Sequence, residues 1–348
     1  MILVTGSLAF DHIMDFPGKF SDHIMPDKIH QINLSFLVNT LQKQKGGTAG
    51  NIAYNLALLN SPVSILGVAG PDFSEYGEFL KSAGVDISSI KIIQDHLTSS
   101  AYIMTDKSDN QITAFYPGAM SDASSLSISG NPDMVVISPN DPKAMVQFTN
   151  QCQNFNIPYM LDPGMQLPRL AVQDLKNMVN GATILIGNDY EIALLKEKTG
   201  LNEQQLLDQV KVLVTTLGEK GSIIQSGLDT VQVNPAKPEQ VVDPTGAGDA
   251  YRAGFLAGYV KGLDLKICGQ MGSLAACYTI EKYGTTSHTF TMDEFKTRYK
   301  ENFGEPLTQE KAVRGTFDEV FGAWKERKDI KDSAKWVAKL RAKISMRK

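Results

Sequence analysis

Cysteine is scarce in this chain of 348 residues: there are three, Cys152, Cys268 and Cys277. An odd number without metal-ligand spacing points away from a disulfide framework and from a zinc site. Cys268 and Cys277 fall in an apolar helical pattern and read as packing residues. The five histidines, His12, His23, His30, His96 and His288, are scattered, with no pair at ligand spacing on a helix. No apolar run is long enough to span a bilayer, so no membrane partner is expected. Met1-Ile2-Leu3-Val4 has no basic region ahead of it, so no secretory signal is expected and reduced cytoplasm is the anticipated compartment. Internal repeats and low-complexity tracts are also missing.

What is present is an ordinary globular composition, 42% hydrophobic with a formal charge of −4. The charge is unevenly placed. Residues 309–348 hold 12 Lys and Arg against 6 Asp and Glu, together with both tryptophans, Trp324 and Trp336. Such a shift in composition marks a separate element. There Phe317, Val320, Phe321 and Trp324, and then Trp336, Leu340 and Ile344, recur at helical spacing with basic residues between them. Residues 306–348 therefore read as a basic amphipathic helical extension. Three roles stay open for it: packing back on the main domain, binding a protein partner or bracing a dimer, or lying on an acidic surface such as nucleic acid.

Residues 1–305 alternate short β-rich runs with helical patterns. Ile2–Thr5, Val63–Val68, Met134–Ile137, Tyr159–Leu161, Thr183–Ile186 and Val212–Thr215 read as buried strands. Asn51–Leu59, Phe73–Ala83 and Lys143–Phe155 read as helices between them. This alternation predicts an α/β fold with parallel pairing and right-handed crossovers. Sites in such sheets gather at the carboxyl ends of strands, which nominates Asp11, Asp162, Asn188 and Thr216 for one crevice. Two stretches, 12–45 and 96–118, interrupt the alternation with segments such as Ser35–Val38 and Ala101–Thr105 that suit a small additional sheet.

The most informative stretch is Asp243-Pro244-Thr245-Gly246-Ala247-Gly248-Asp249-Ala250, which runs into an apolar helical pattern. Gly246 and Gly248 allow backbone conformations that aim successive amides at one point, a cradle for negative charge. A helix starting near Asp249 adds its positive dipole end, where a carboxylate stays ionised and can act as a base. No Gly-Lys-Ser/Thr follows, so this is no Walker loop, and the strand and spacing of a dinucleotide fingerprint are missing. Cradle, helix start and base together suggest phosphoryl transfer to a hydroxyl. The plainer alternative is a tight loop capping a buried helix.

Asp243-Pro244-Thr245-Gly246-Ala247-Gly248-Asp249 resembles the signature of the ribokinase-like (PfkB) family of sugar and nucleoside kinases. Gly46-Gly47-Thr48-Ala49-Gly50-Asn51 is similar to its second motif, in the expected order. Within the family, Val4–Asp11, Leu34–Val38, Phe115–Ser121 and Gly187–Glu191 most resemble the bacterial adenosine kinases. The resemblance implies a three-layer α/β sandwich with a mostly parallel central sheet, a β-sheet lid from residues 12–45 and 96–118, and a homodimer formed through that lid. It implies ATP and Mg²⁺ as cofactors and adenosine or a related nucleoside as acceptor, with another nucleoside or a sugar as the alternative. A third reading keeps the fold as a binding protein whose tail engages a partner.

On the acceptor side the resemblance assigns Asp11, Gly46, Gly47 and Asn51 to the ribose. From its own position Asn51 reads first as a helix cap, and the resemblance reverses that reading. Ser7, Ser35, Tyr102, Phe115 and Arg169 match positions lining the nucleoside pocket, with Tyr102 and Phe115 able to sandwich a base. Tyr102 departs from the phenylalanine anticipated there. On the donor side Thr216, Gly218 and Gly221 resemble the nucleotide loop, and Thr245 belongs with them. Asn188 and Glu191 resemble the Asn-x-x-Glu element that organises hydrated Mg²⁺, with Glu191 acting through water. Asp249 is the implied general base, and the amides of Ala247, Gly248 and Asp249, aimed by Gly246, are the implied anion hole.

Overall fold

The computed structural model describes residues 1–24, 33–108, 110–227 and 229–307. The chain divides into two compact units, 1–309 and 310–348. The second, and with it nearly all of the anticipated basic extension, lies outside the described residues.

The strands, in chain order, are β1 (Ile2–Thr5), β2 (Ala9–Asp15), β3 (Thr40–Gly46), β4 (Val63–Ala69), β5 (Ile90–Ile92), β6 (Ser99–Thr105), β7 (Gln111–Tyr116), β8 (Met134–Ile137), β9 (Tyr159–Leu161), β10 (Ile184–Asn188), β11 (Val212–Thr216), β12 (Ser222–Ser226) and β13 (Asp229–Val233). The helices are α1 (Thr48–Leu58), α2 (Ser74–Ser82), α3 (Pro142–Phe155), α4 (Val172–Val179), α5 (Asp189–Thr199), α6 (Glu203–Leu207), α7 (Ala247–Tyr259), α8 (Leu265–Ile280) and α9 (Met292–Phe303).

Nine strands form one sheet in the order β13-β12-β11-β10-β9-β8-β1-β4-β5. All pairs from β11 to β5 are parallel, and β12 and β13 add an antiparallel edge. Strands β1, β4, β8 and β9 are buried at every position because both faces of the sheet are covered. Ile2 and Val4 pack into the layer of α1, α7 and α8, while Leu3 packs into the layer of α3 and α4. Met134 and Val136 of β8 divide from Val135 and Ile137 in the same way. Helices thus cover both faces of the sheet, giving three layers. No helix among the described residues is long and apolar enough to cross a membrane.

A second sheet, ordered β3-β2-β6-β7, occupies the two segments that break the alternation, with β2 starting earlier, at Ala9, and β3 ending at Gly46. One expectation fails here. Leu34–Val38 is irregular and Leu37 is 85% exposed, so Ser35–Val38 is not a strand. The strand begins at Thr40, which pairs with Asp15 of β2, just after the Asn39 amide donates to the Asp15 carbonyl at 3.0 Å. Helix α7 starts near Asp249 as expected: Gly246 turns the chain through a left-handed φ of +80° and leaves Ala247, two residues earlier, as the first helical residue.

Candidate active site

The carboxyl ends of β1, β8, β9, β10 and β11 deliver Ser7, Ser138, Asp162, Asn188 and Thr216 to one edge of the large sheet. The turn after β1 is tied to α1 rather than left open. Ser7 Oγ accepts from the Thr48 amide at 3.1 Å, supplying the helix start with the cap that Gly47 lacks. Gly47 has φ +87°, and a Cβ there would stand 2.5 Å from the Ser7 carbonyl oxygen. Only glycine lets the chain pass this close to the turn between β1 and β2 and enter α1.

Asn51 is the fourth residue of α1, not its cap, and it is 4% exposed. Its Nδ2 donates to Asp249 Oδ2 at 2.8 Å, and its Oδ1 lies 2.8 Å from Thr285 Oγ1. The two glycine motifs therefore meet through one hydrogen bond. Asp249 sits in the first turn of α7, beside amides that have no intrahelical acceptor. The Ala247 amide is less free than anticipated, since it donates to the Pro244 carbonyl at 3.3 Å. Burial pushes the Asp249 carboxyl up to about 6, opposed by the Arg252 charge and the Asn51 hydrogen bond. The Asp249 carboxylate is thereby a stronger base than an exposed aspartate.

Asp11 lies on β2 across from Gln44 of β3. Any Cβ on Gly46 would collide with its Oδ2. Burial, and then the neighbouring charge of Asp243, raises Asp11 to about 6. Asp243 accepts from the Thr245 amide at 2.9 Å and from the Gly284 amide at 3.0 Å. Tyr76, wholly buried, donates to the Gly46 carbonyl at 3.0 Å and feels the charges of both Asp11 and Asp249. Once ionised, the Asp11 carboxylate only accepts hydrogen bonds, so its complement is a donor such as a hydroxyl or an N–H group.

Behind Asp249 stands a residue that sequence reasoning missed. Arg252 is 7% exposed, one helical turn beyond Asp249. Its Nη2 donates to Asp162 Oδ1 at 2.8 Å, and it lies 3.8 Å from Glu191 Oε2. Glu191 and Asn188 form a reciprocal cap on α5. The Asn188 amide donates to Glu191 Oε2 at 2.8 Å, and the Glu191 amide donates to Asn188 Oδ1 at 2.7 Å. An arginine at i+3 from an acid inside an amphipathic run was the available signal, but it reads equally well as a surface pair. Thr285, from the segment before α9, is the other missed member.

Strand register overturns one anticipated pairing. Ala101 faces Phe115 across β6 and β7, while Tyr102 faces Ala114. Side chains alternate between faces along a strand. Phe115 therefore shares its face with Ala101 and Asp11, and Tyr102 points to the opposite face, where it stacks on His12 at 4.7 Å between ring centroids. Tyr102 and Phe115 of one chain do not sandwich a base between them. Ser35 is exposed in the irregular segment before β3. Arg169 has no hydrogen bond or ion pair to the Asp11–Asp249 cluster. It lines a surface groove of about 560 Å³ with Lys143, Gln147 and Asp174. Thr216 ends β11, and Gly218 (φ +59°) opens the turn after it. Gly221 is required for another reason, since a Cβ there would strike the Val233 carbonyl of the adjoining hairpin. Thr245 lies in the exposed turn before Gly246.

Among the described residues, no group of three or more His, Cys, Asp or Glu is arranged to hold a metal ion. Glu191 would therefore meet a cation singly, through water rather than in a cage of protein ligands.

A family model described as pfkB family carbohydrate kinase matches residues 8–291. A nucleoside kinase of Methanothermobacter thermautotrophicus is 33% identical over 310 residues, covering 87% of this chain and 96% of its own length. The structure of a Burkholderia thailandensis nucleoside kinase in complex with inosine superposes with a TM-score of 0.80 at 35% identity, covering 88% of this chain and 99% of that one. A Methanocaldococcus jannaschii nucleoside kinase, an archaeal member of the ribokinase family, gives 0.79 at 30% identity, covering 86% and 98%.

Proposed function

The chain belongs to the PfkB family of carbohydrate kinases and has its ribokinase-like α/β fold, and from that premise we propose that it transfers the γ-phosphoryl group of ATP to the ribose 5′-hydroxyl of adenosine, giving AMP. The observation that carries this reading is Asp249 at the start of α7, held at 2.8 Å by Asn51 from the other glycine motif. Asp11 accepts hydrogen bonds from the ribose diol, with Gly46 and Gly47 giving the sugar close approach. Asn51 holds a ribose hydroxyl beside Asp249. Phe115, on the Asp11 face of the small sheet, stacks on the base. Ser7, Ser35 and Arg169 remain proposed lining residues, and Tyr102 is proposed there only through a second copy of the chain.

Asp249 accepts the hydroxyl proton as the 5′-oxygen bonds to the γ-phosphorus and the bond to the β–γ bridging oxygen breaks, releasing ADP. The amides of Gly248 and Asp249, with Ala247 and the turn at Gly246, stabilise the charge on the moving group. Positioning and charge stabilisation contribute more than proton removal, which is typically worth ~10²–10⁴ in rate. Thr216, Gly218, Gly221 and Thr245 flank the nucleotide, and Asn188 and Glu191 hold its Mg²⁺ through water. Bound Mg²⁺ supplies neutralisation of phosphate charge.

A second acceptor has its own support, because the Burkholderia structure with inosine comes from a relative 35% identical to this chain. Steady-state rates with adenosine, inosine, guanosine, cytidine and ribose, each with ATP and Mg²⁺, separate the two. A higher kcat/KM for inosine replaces adenosine in this reading. Transfer to none of the five overturns it in favour of a binding protein. We further assign residues 1–305 to the kinase domain, in the cytoplasm, and propose a homodimer through the outer face of the lid. That face exposes Leu41, Tyr102, Ile112 and Tyr116. Tyr102→Ala should then shift the sedimentation mass toward the monomer.

A further inference from the structure

Thr285 is 4% exposed and touches three parts of the site at once. Its Oγ1 lies 2.8 Å from Asn51 Oδ1 and 2.9 Å from the Lys45 carbonyl, which is the penultimate residue of β3. Its carbon side packs on the first turn of α7, for a Cβ on Gly246 would stand 2.9 Å from both its Cβ and its Cγ2. The segment that carries it is anchored on both sides. The Gly284 amide donates to Asp243 Oδ2 at 3.0 Å, and Tyr54 Oη donates to the His288 carbonyl at 2.5 Å.

We propose that Thr285 is a positioning residue for phosphoryl transfer, fixing the orientation of the Asn51 amide toward Asp249 and linking that orientation to the root of the small sheet. The inference rests on Asp249 being the base of the reaction above. Asn51 presents an oxygen at one end of its amide and an NH₂ at the other, and only the NH₂ end can face a carboxylate. With the oxygen held by a hydroxyl donor, reversal of the amide loses that bond and sets two acceptors against each other. The Thr285 hydroxyl has a single proton and two acceptors within reach. While β3 keeps the Lys45 carbonyl at 2.9 Å, the proton is shared between the two partners.

The test compares Thr285→Val, which removes the hydroxyl and keeps the shape, with Thr285→Ser, which keeps the hydroxyl. Full-length protein is assayed with ATP, Mg²⁺ and the best acceptor of the panel. Loss of alignment at a reacting centre costs on the order of 10-fold to 100-fold in kcat, and Thr285→Val should show this with the KM for ATP unchanged. Thr285→Ser should restore the rate to within about twofold of wild type. Selective ¹⁵N-asparagine labelling supplies a readout independent of turnover. The Asn51 side-chain NH₂ should exchange slowly in wild type and Thr285→Ser, and quickly in Thr285→Val. Wild-type kcat in Thr285→Val, equal losses in the two variants, or unchanged Asn51 exchange overturns the proposal. Should Thr285→Val not fold, Thr285→Ser decides alone, and a loss of kcat there overturns it. An inactive wild type removes the kinase reading but leaves the exchange measurement to judge Thr285.

Discussion

The Arg252 guanidinium and the Asp162 carboxylate form a buried pair under the turn that carries Asp249, with Nη2 donating to Oδ1 at 2.8 Å and Nε lying 2.5 Å from Oδ2. Asp162 follows β9 and Arg252 belongs to α7, so the pair joins the sheet edge to the helix bearing the base. Burial raises Asp162 and the Arg252 charge draws it back, while Arg252 is held above its usual range by Asp162, Asp249 and Glu191 despite its own burial.

Breaking such a pair from one side leaves an uncompensated charge in the interior, which costs about 3–5 kcal/mol. Arg252→Met should therefore lower the free energy of unfolding by about that amount in urea denaturation. The double variant Arg252→Met, Asp162→Leu should recover much of the loss, since removing both charges is close to neutral. A single variant as stable as wild type would show that the pair holds nothing together.

Asp249→Asn removes the proton acceptor but keeps an oxygen for the Asn51 Nδ2 donor. Turnover should fall ~10²–10⁴-fold, with nucleoside affinity within about threefold of wild type by calorimetry. Near wild-type kcat would remove Asp249 from the role of base.

The pH dependence has opposite signs for activity and stability. Asp249 must be ionised to accept a proton, and burial pushes it up to about 6. Arg252, Asp162 and Glu191 are the charged groups whose fields reach it. The rate kcat/KM should thus climb through about pH 6 and level off above it. For stability, the folded state binds these protons more tightly than the unfolded chain, whose carboxyl titrates near 3.8. The contribution of Asp249 and Asp11 is fully present below that value and is lost as pH rises through about 6. Urea midpoints compared at about pH 4.5 and pH 7 should show wild type losing more stability on that rise than Asp249→Asn. Equal losses would mean that Asp249 titrates alike in both states.

The central strands were legible because each is a short apolar run closed by turn residues: Met134–Ile137 and Tyr159–Leu161 are read to the residue. The glycine motifs were legible for a related reason, since a left-handed turn at Gly246 and close passage at Gly47 are demands that few other residues meet. What stayed hidden depends on partners distant in sequence. Asn51 and Asp249 are 198 residues apart and Thr285 and Asn51 are 234 apart, so no local pattern marks either bond. Register was hidden too. An aromatic at 102 and another at 115 both suit a base pocket until pairing of β6 with β7 sends them to opposite faces. Ser35–Val38 alternates like a strand yet pairs with no strand among the described residues.

Gly246→Ala tests whether the turn into α7 sets the anion-binding amides. A left-handed conformation costs an L-residue roughly 1–2 kcal/mol, and Gly246 has φ +80°. The added methyl would also press on Thr285, 2.9 Å from its Cβ and Cγ2, whose hydroxyl is held by Asn51 and Lys45. The helix start must then shift, carrying the amides of Gly248 and Asp249 with it. Misplacement near 1 Å at a reacting centre costs on the order of 10²-fold in rate, so kcat should drop by about that factor. The stability loss should stay near the conformational cost, roughly 1–2 kcal/mol, because the strain falls on one turn rather than on the core. A variant that is merely less stable, with kcat preserved, would show that the amides of this turn do not steady the transferring group.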